Sequence, residues 1–246
     1  MGAEGFALLS LWGCAGGAEE IDVIPPEVAA ERVTFATLQD LGSFLLRSST
    51  RDERTNPRAT VVRESSISLK WKDRDHWEFE SLRDGKPVTH WLIYQATAWE
   101  ALSGDPLTPR GDAEPLRAQL SLGWDAWEDI IALTGGRIVY GEGTEETVDG
   151  RVALRHDLTL EPPRADKRRP SRSLGDALEA TSVSGTVWID RVTSVRVLAD
   201  VVATAASPVA EGAVPNRTRT LSVKLALTGL GQDPGVAVPP DPLSPQ

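Results

Sequence analysis

The sequence predicts an α+β protein that is mostly β, built on one long antiparallel sheet that curls around two helices. Three observations predict it. Apolar and polar residues alternate with period two in several runs, as Ile67, Leu69 and Trp71 do with Ser66, Ser68 and Lys70. One stripe, Leu116, Leu120, Trp124, Trp127 and Ile131, steps at the spacing of a single helix face. Turn signals such as Asp84-Gly85 separate the alternating runs, so neighbouring strands are joined by hairpins. A long sheet with so few helices buries them and its own apolar face by curling; the alternative is a closed barrel or sandwich with the helices outside.

The elements follow in order. Pro25-Pro26 and Glu27 open a helix from about Pro26 to Leu46, with Val33, Leu38, Leu41 and Leu45 at helical spacing. The polar run from Ser48 to Arg58 reads as a loop. Strands follow around Ile67–Trp71, Trp77–Phe79 and Val88–Tyr94, with turns at Lys72–Asp75 and Asp84-Gly85. Pro- and Gly-rich sequence from Ser103 to Gly111 ends this meander. The second helix carries the Leu116–Ile131 stripe and closes at Gly135-Gly136. Strands resume at Arg137–Gly141 and Arg151–Leu160, joined by an acidic hairpin. After a polar, basic loop (Glu161 to Asp176) come strands at Ser184–Asp190, Val195–Ala203 and Leu221–Leu227. The tail beyond Val238 is Pro-rich and reads as extended or disordered, with no structure expected over 241–246.

Composition sets limits. The 246 residues suffice for one sizeable domain, placed at 27–240. A net charge of −10 argues against a nucleic-acid partner. One Cys excludes an internal disulfide and multi-Cys zinc sites. No apolar run approaches the roughly 20 residues of a membrane span. Eight Trp against two Tyr and four Phe imply large flat apolar surfaces, in a core or around a cavity.

The chain's only Cys, Cys14, follows the apolar run Phe6–Trp12 and the small Gly13, and precedes an Ala/Gly-rich segment. That order is what a lipoprotein signal looks like: residues 1–13 as signal segment, Cys14 as the acylated residue, 14–26 as tether. Trp12 and Glu4 depart from the pattern, which favours small residues at the cut and positive charge before the apolar run. The rival reading is a leading peptide that happens to hold a Cys. N-myristoylation is disfavoured because Phe6 stands where Ser or Thr is needed.

Three stretches resemble the LolA/LppX-like lipoprotein and lipid-carrier family. They are SLKWKDRDHWEFESLRDGKPVTHWLIYQATAWEAL (Ser68 to Leu102), SGTVWIDRVTSVRVLADVVAT (Ser184 to Thr204) and VAVPP (Val236 to Pro240), the last like the family's short valine-rich closing strand. The resemblance covers most of the chain from Val28 to Pro240. It implies that the curled sheet is an unclosed half-barrel with helices packed on its concave face. It further implies a monomeric cell-envelope lipoprotein, on the periplasmic side of the outer membrane, that binds or carries a lipid or an acylated protein. The family's carriers have an Arg after a "W-x-K" strand that holds the lid helix. Here Trp71-Lys72-Asp73-Arg74 has one extra residue and Asp75 replaces the following Pro, so that role does not transfer directly to Arg74.

The candidate ligand cavity is the set Ile67, Leu69, Trp71, Trp77, Phe79, Trp91, Leu116, Leu120, Trp124 and Trp127; the same residues read equally as a core. Arg164, Lys167, Arg168, Arg169 and Arg172 form a basic run, either a solvated loop or a contact for anionic head groups. Glu142, Glu145, Glu146 and Asp149 match no known Ca²⁺ loop. His76, His90 and His156 lack metal-ligand spacing, and no nucleophile or phosphate-loop motif occurs. The expectation is therefore no catalytic residue, no metal and no cofactor. The competing expectation is a structural or protein-interaction lipoprotein whose barrel is filled by its own side chains.

Overall fold

The structure, a computed structural model, describes residues 25–31, 39, 41–123, 126–162, 178–209 and 214–239. Helix α1 (Pro26–Glu31) precedes strands β1 (Phe44–Asn56), β2 (Ala59–Asp73), β3 (His76–Arg83), β4 (Lys86–Tyr94), β5 (Thr97–Leu102) and β6 (Thr108–Asp112). Helices α2 (Glu114–Gly123) and α3 (Trp127–Thr134) follow. Then come β7 (Ile138–Tyr140), β8 (Thr144–Val148), β9 (Arg151–Leu160), β10 (Glu179–Asp190), β11 (Arg196–Ala206) and β12 (Thr218–Thr228).

The twelve strands form one sheet, ordered β6-β5-β4-β3-β2-β1-β12-β11-β10-β9-β7, with β8 also on β9. Every pairing is antiparallel. The edges, β6 at one end and β7 with β8 at the other, do not pair with each other, so the sheet is an unclosed half-barrel.

Register gives the two faces opposite chemistry. Side chains directly opposite in an antiparallel pair share a face. Phe44↔Trp71↔Trp77↔Ile93 and Leu46↔Leu69↔Phe79↔Trp91 are such rows, continued through Leu46↔Leu227 into β12. Val223, Leu225, Val201, Ala199 and Val187 extend the apolar face through β12, β11 and β10. The helices lie on this face: α3 packs against β10 and β11, and α1 against β10 and β7. Leu116, Leu120, Trp127, Ile130 and Leu133 complete the core from the helix side. At roughly 1.5–3 kcal/mol for each fully buried large side chain, this face is what holds the fold.

Two turns show how local sequence sets register. Asp84 and Gly85 both take positive φ (50° and 74°), the two-residue turn read from the sequence. Within β10, Gly185 has φ 130°, and a Cβ there would lie 2.1 Å from the Asp200 carbonyl oxygen.

Several expectations are corrected. The first helix does not reach Leu46, because β1 begins at Phe44; Val33 and Leu38 lie outside the described residues. Ser48–Asn56 is strand, not loop, since it pairs on both sides with β2 and β12. The Pro/Gly-rich stretch holds a strand, β6, paired to β5. The second helix is two helices, separated between Gly123 and Trp127. The acidic hairpin contains its own strand, β8, and turns at Asp149-Gly150. Residues 236–239 form no strand: they run as a strap on which the Ala237 amide donates to Glu78 Oε2 at 3.3 Å.

Candidate functional site

The sequence-derived set is gathered into one packed cluster on the helix-bearing face. Leu69, Trp71, Trp77, Phe79, Leu116, Leu120 and Trp127 are buried core, with Ile67 and Trp91 packed at its margin. Phe44 and Trp71 stack at 6.2 Å and Phe79 and Trp91 at 5.0 Å between ring centroids. Trp124, Cys14 and the basic run from Arg164 to Arg172 lie outside the described residues.

The opposite, open face carries a groove of about 870 Å³. Its first wall is the cross-strand row Ala101↔His90↔Glu80↔Ser68↔Arg47↔Ala226↔Leu198↔Trp188, one residue from each of β5, β4, β3, β2, β1, β12, β11 and β10. The second is the parallel row Pro87, Leu82, Ser66, Ser49, Lys224 and Asp200. Ser48, Ile67 and Leu225 lie between the rows and point to the other face, so they present backbone to the groove floor. Among the sequence-derived candidates, Ile67 is the member that lines it. Small residues in mid-groove (Ser49, Ser66, Ser68, Ala226) leave space, while Leu82, Leu198 and Trp188 give apolar walls. Trp188 is fixed by donating Nε1–H to Glu146 at 2.6 Å, with the Arg155 guanidinium 5.9 Å from its ring centroid.

Beside this groove sits a polar cluster the sequence did not reveal. Buried Glu78 accepts from His90 Nε2 at 3.0 Å and from Lys70 Nζ at 2.8 Å. Burial alone would raise its pKa, but the bonds from His90 and Lys70, the Lys70 charge and the Ala237 amide outweigh it and bring it to about 2. Glu80 lies 3.9 Å from the same His90 nitrogen, so Glu78, Glu80 and His90 bring ligand atoms within 4.8 Å of one another. The Lys70 ammonium already answers one Glu78 oxygen, which disfavours a second cation there. Register explains the cluster: Glu80 faces His90 and Glu78 faces Lys70 across strands, separations invisible to a spacing rule.

The other polar candidates, Glu142 excepted, are in structural pairs. His76 Nδ1 meets Asp73 at 2.9 Å and His156 Nδ1 meets the Gly141 carbonyl at 2.9 Å. Glu145 pairs with Arg191, and Asp149 accepts from the Leu230 amide. Arg74 donates to Glu114 of α2 at 2.8 Å, and Arg117 of α2 returns a bond to Asp75. Among the described residues no helix is long and apolar enough to cross a membrane.

No protein-family model matches the chain, and no curated protein matches it in sequence. Among solved structures it is similar to a DUF1329 family protein from Desulfovibrio piger, at 11% identity over 82% of this chain and 91% of that one, with a TM-score of 0.26. It is similar to a LolA superfamily protein from Nitrosomonas europaea at 9% identity, over 79% of this chain and 94% of that one, TM-score 0.21. It is also similar to MucB from a complex with MucA, at 11% identity over 84% of this chain and 56% of that one, TM-score 0.24. The LolA superfamily is the family that the sequence motifs resemble. At these TM-scores the likeness carries no argument of its own, and the fold class rests on the strand order and register above.

Proposed function

We propose that the protein is a cell-envelope lipoprotein, anchored through Cys14 on the periplasmic side of the outer membrane, that holds an acyl chain of a lipid or an acylated protein along its open-face groove. The observation that supports this is the groove itself. Its volume, about 870 Å³, falls within the range of small-molecule sites. It crosses eight strands, roughly 34 Å at the usual inter-strand spacing, a length suited to an extended chain rather than a compact metabolite. Binding needs no chemistry: burial of methylenes contributes about 0.8 kcal/mol each, and release follows contact with a bilayer. The packed cluster on the other face serves as the support against which the groove is held.

A second reading has its own observation. The interface between sheet and helices is filled by the chain's own side chains, which favours an interaction module whose groove takes a segment of another protein.

One experiment separates them. Native mass spectrometry of protein taken from its own membrane, with titration of a fluorescent fatty-acid probe, reads acyl binding directly. The wild type is expected to bind, and Ala226→Trp, which fills mid-groove, to lose at least tenfold in affinity. A wild-type chain that carries no lipid and binds no acyl probe leaves the interaction reading in place.

A further inference from the structure

The helix-bearing face changes character along β1 and β12. Leu46, Leu225 and Leu221 belong to the core, but further along the same strands the face presents Asp52, Arg54 and Arg219. There a pocket of about 720 Å³ is lined by Arg54, Arg58, Arg217 and Arg219, with Asn56 and Asn216 beside them. Every ionisable residue lining it is an arginine, in a chain of net charge −10.

We propose that this pocket is a site for a phosphoryl anion, either a free phosphate or phosphomonoester or the phosphate of a lipid head group. It is separate from the groove and does not depend on the acyl-chain reading. Arg54 and Arg219 stand directly opposite each other on β1 and β12, an arrangement of like charges that is unfavourable by itself. Asp52, two residues back along the same face of β1, organises the pair. Its carboxylate accepts from Arg54 Nε and Nη2 at 3.1 and 2.7 Å, and from Arg219 Nε and Nη2 at 2.9 and 3.1 Å. One carboxylate is thus shared between two guanidiniums, and Asp129 adds a weaker, longer-range attraction on Arg54. The shared carboxylate engages one edge of each guanidinium, which leaves the Nη1 donors of both for an incoming anion. Planar, forked donors match tetrahedral phosphoryl oxygens better than a lysine ammonium does. Arg219 and Asp52 are largely buried, so the pair is held in place before any ligand arrives.

The test uses the full-length chain. Isothermal titration with inorganic phosphate reads the free anion. Flotation with phosphatidylcholine vesicles, with and without phosphatidic acid, reads the head group. Arg58→Gln changes an exposed turn residue and is expected to weaken binding about tenfold, the effect of one charge-assisted hydrogen bond. Arg219→Gln is expected to weaken it at least as much. Phosphate binding without vesicle preference assigns the site to a soluble anion; preference for phosphatidic acid that both variants lose assigns it to a lipid. A wild type that binds neither probe, or variants that bind as the wild type does, overturn the proposal. A fatty-acid probe bearing no phosphate still reports on the groove, so the two readings fail separately.

Discussion

The Arg196 guanidinium carbon lies 4.3 Å from the centroid of the Trp127 ring, with both residues buried. The contact ties α3 to the bulged start of β11, where the register shifts between the Trp188 and Ile189 pairs. Trp127→Ala removes the ring, opens a cavity and takes a desolvated cation from its aromatic face, at an expected cost of about 3–5 kcal/mol. Trp127→Phe keeps a ring and is expected to lose less. Urea unfolding of the two variants gives the comparison; equal stability of Trp127→Ala and wild type would contradict this account of how α3 is held.

Glu78 predicts the acid limb of stability. Its folded pKa, about 2, lies below its ordinary value of 4.5, so between those values the unfolded chain binds the extra proton. The contribution of Glu78 is complete above about pH 4.5 and is lost as pH falls toward 2. Glu78→Gln is expected to be destabilised by about 2 kcal/mol at pH 7 through its bonds to Lys70 and His90. The gap to wild type should narrow steadily through that window. Chemical denaturation at stepped pH checks it, and a gap constant down to pH 2 would show that the carboxylate charge is not what counts.

Gly185 tolerates no side chain. Its φ of 130° and the 2.1 Å approach of an added Cβ to the Asp200 carbonyl combine backbone strain with a clash against backbone that cannot rotate away. Gly185→Ala is expected to cost more than about 2 kcal/mol and to loosen the β10–β11 pairing. Amide exchange across Val183–Val201 reads the loosening; wild-type protection there would mean the sheet absorbs the methyl group elsewhere.

The proposed anchoring rests on one atom, the Cys14 sulfur. Cys14→Ser is expected to move the protein from the membrane to the soluble fraction of fractionated cells. Membrane association unchanged by that substitution, or a mature protein that still begins at Met1, would remove the lipid anchor from the proposed function.

The sequence was most legible where one face of a strand meets the core. Ile67, Leu69 and Trp71 announce β2 because alternation follows burial. The outer half of β1 has no such partner: its alternation is of charge, with Arg51 bonded to Glu64 and Asp52 to Arg54 and Arg219, so it reads as polar loop. β6 hides for the same reason, since all five residues are exposed and Pro109 sits on an edge strand where a missing N–H is tolerated. The helical stripe is continuous in sequence, but burial shifts by a residue after the break: Ile130 and Leu133 are buried where Ile131 is half-exposed. The groove escaped because its walls come from the outward half of each alternation, where Ser and Ala carry no hydrophobic signal. The arginine pocket joins residues 54 and 219, which only the β1–β12 pairing makes neighbours.

That same pairing has a kinetic consequence. Every strand but β7 pairs with a neighbour in sequence, so β1–β6 and β8–β12 are each built from consecutive antiparallel pairs. The seam between β1 and β12 joins residues such as Leu45 and Thr228 at opposite ends of the described chain. Closing so long a loop is entropically costly before any contact repays it. The two meanders are therefore expected to assemble first as separate apolar half-sheets, with the seam as the slow, last step. Until it forms, the Leu46 and Leu227 edges of the two half-sheets face water, and it is in that interval that the chain is most exposed to aggregation.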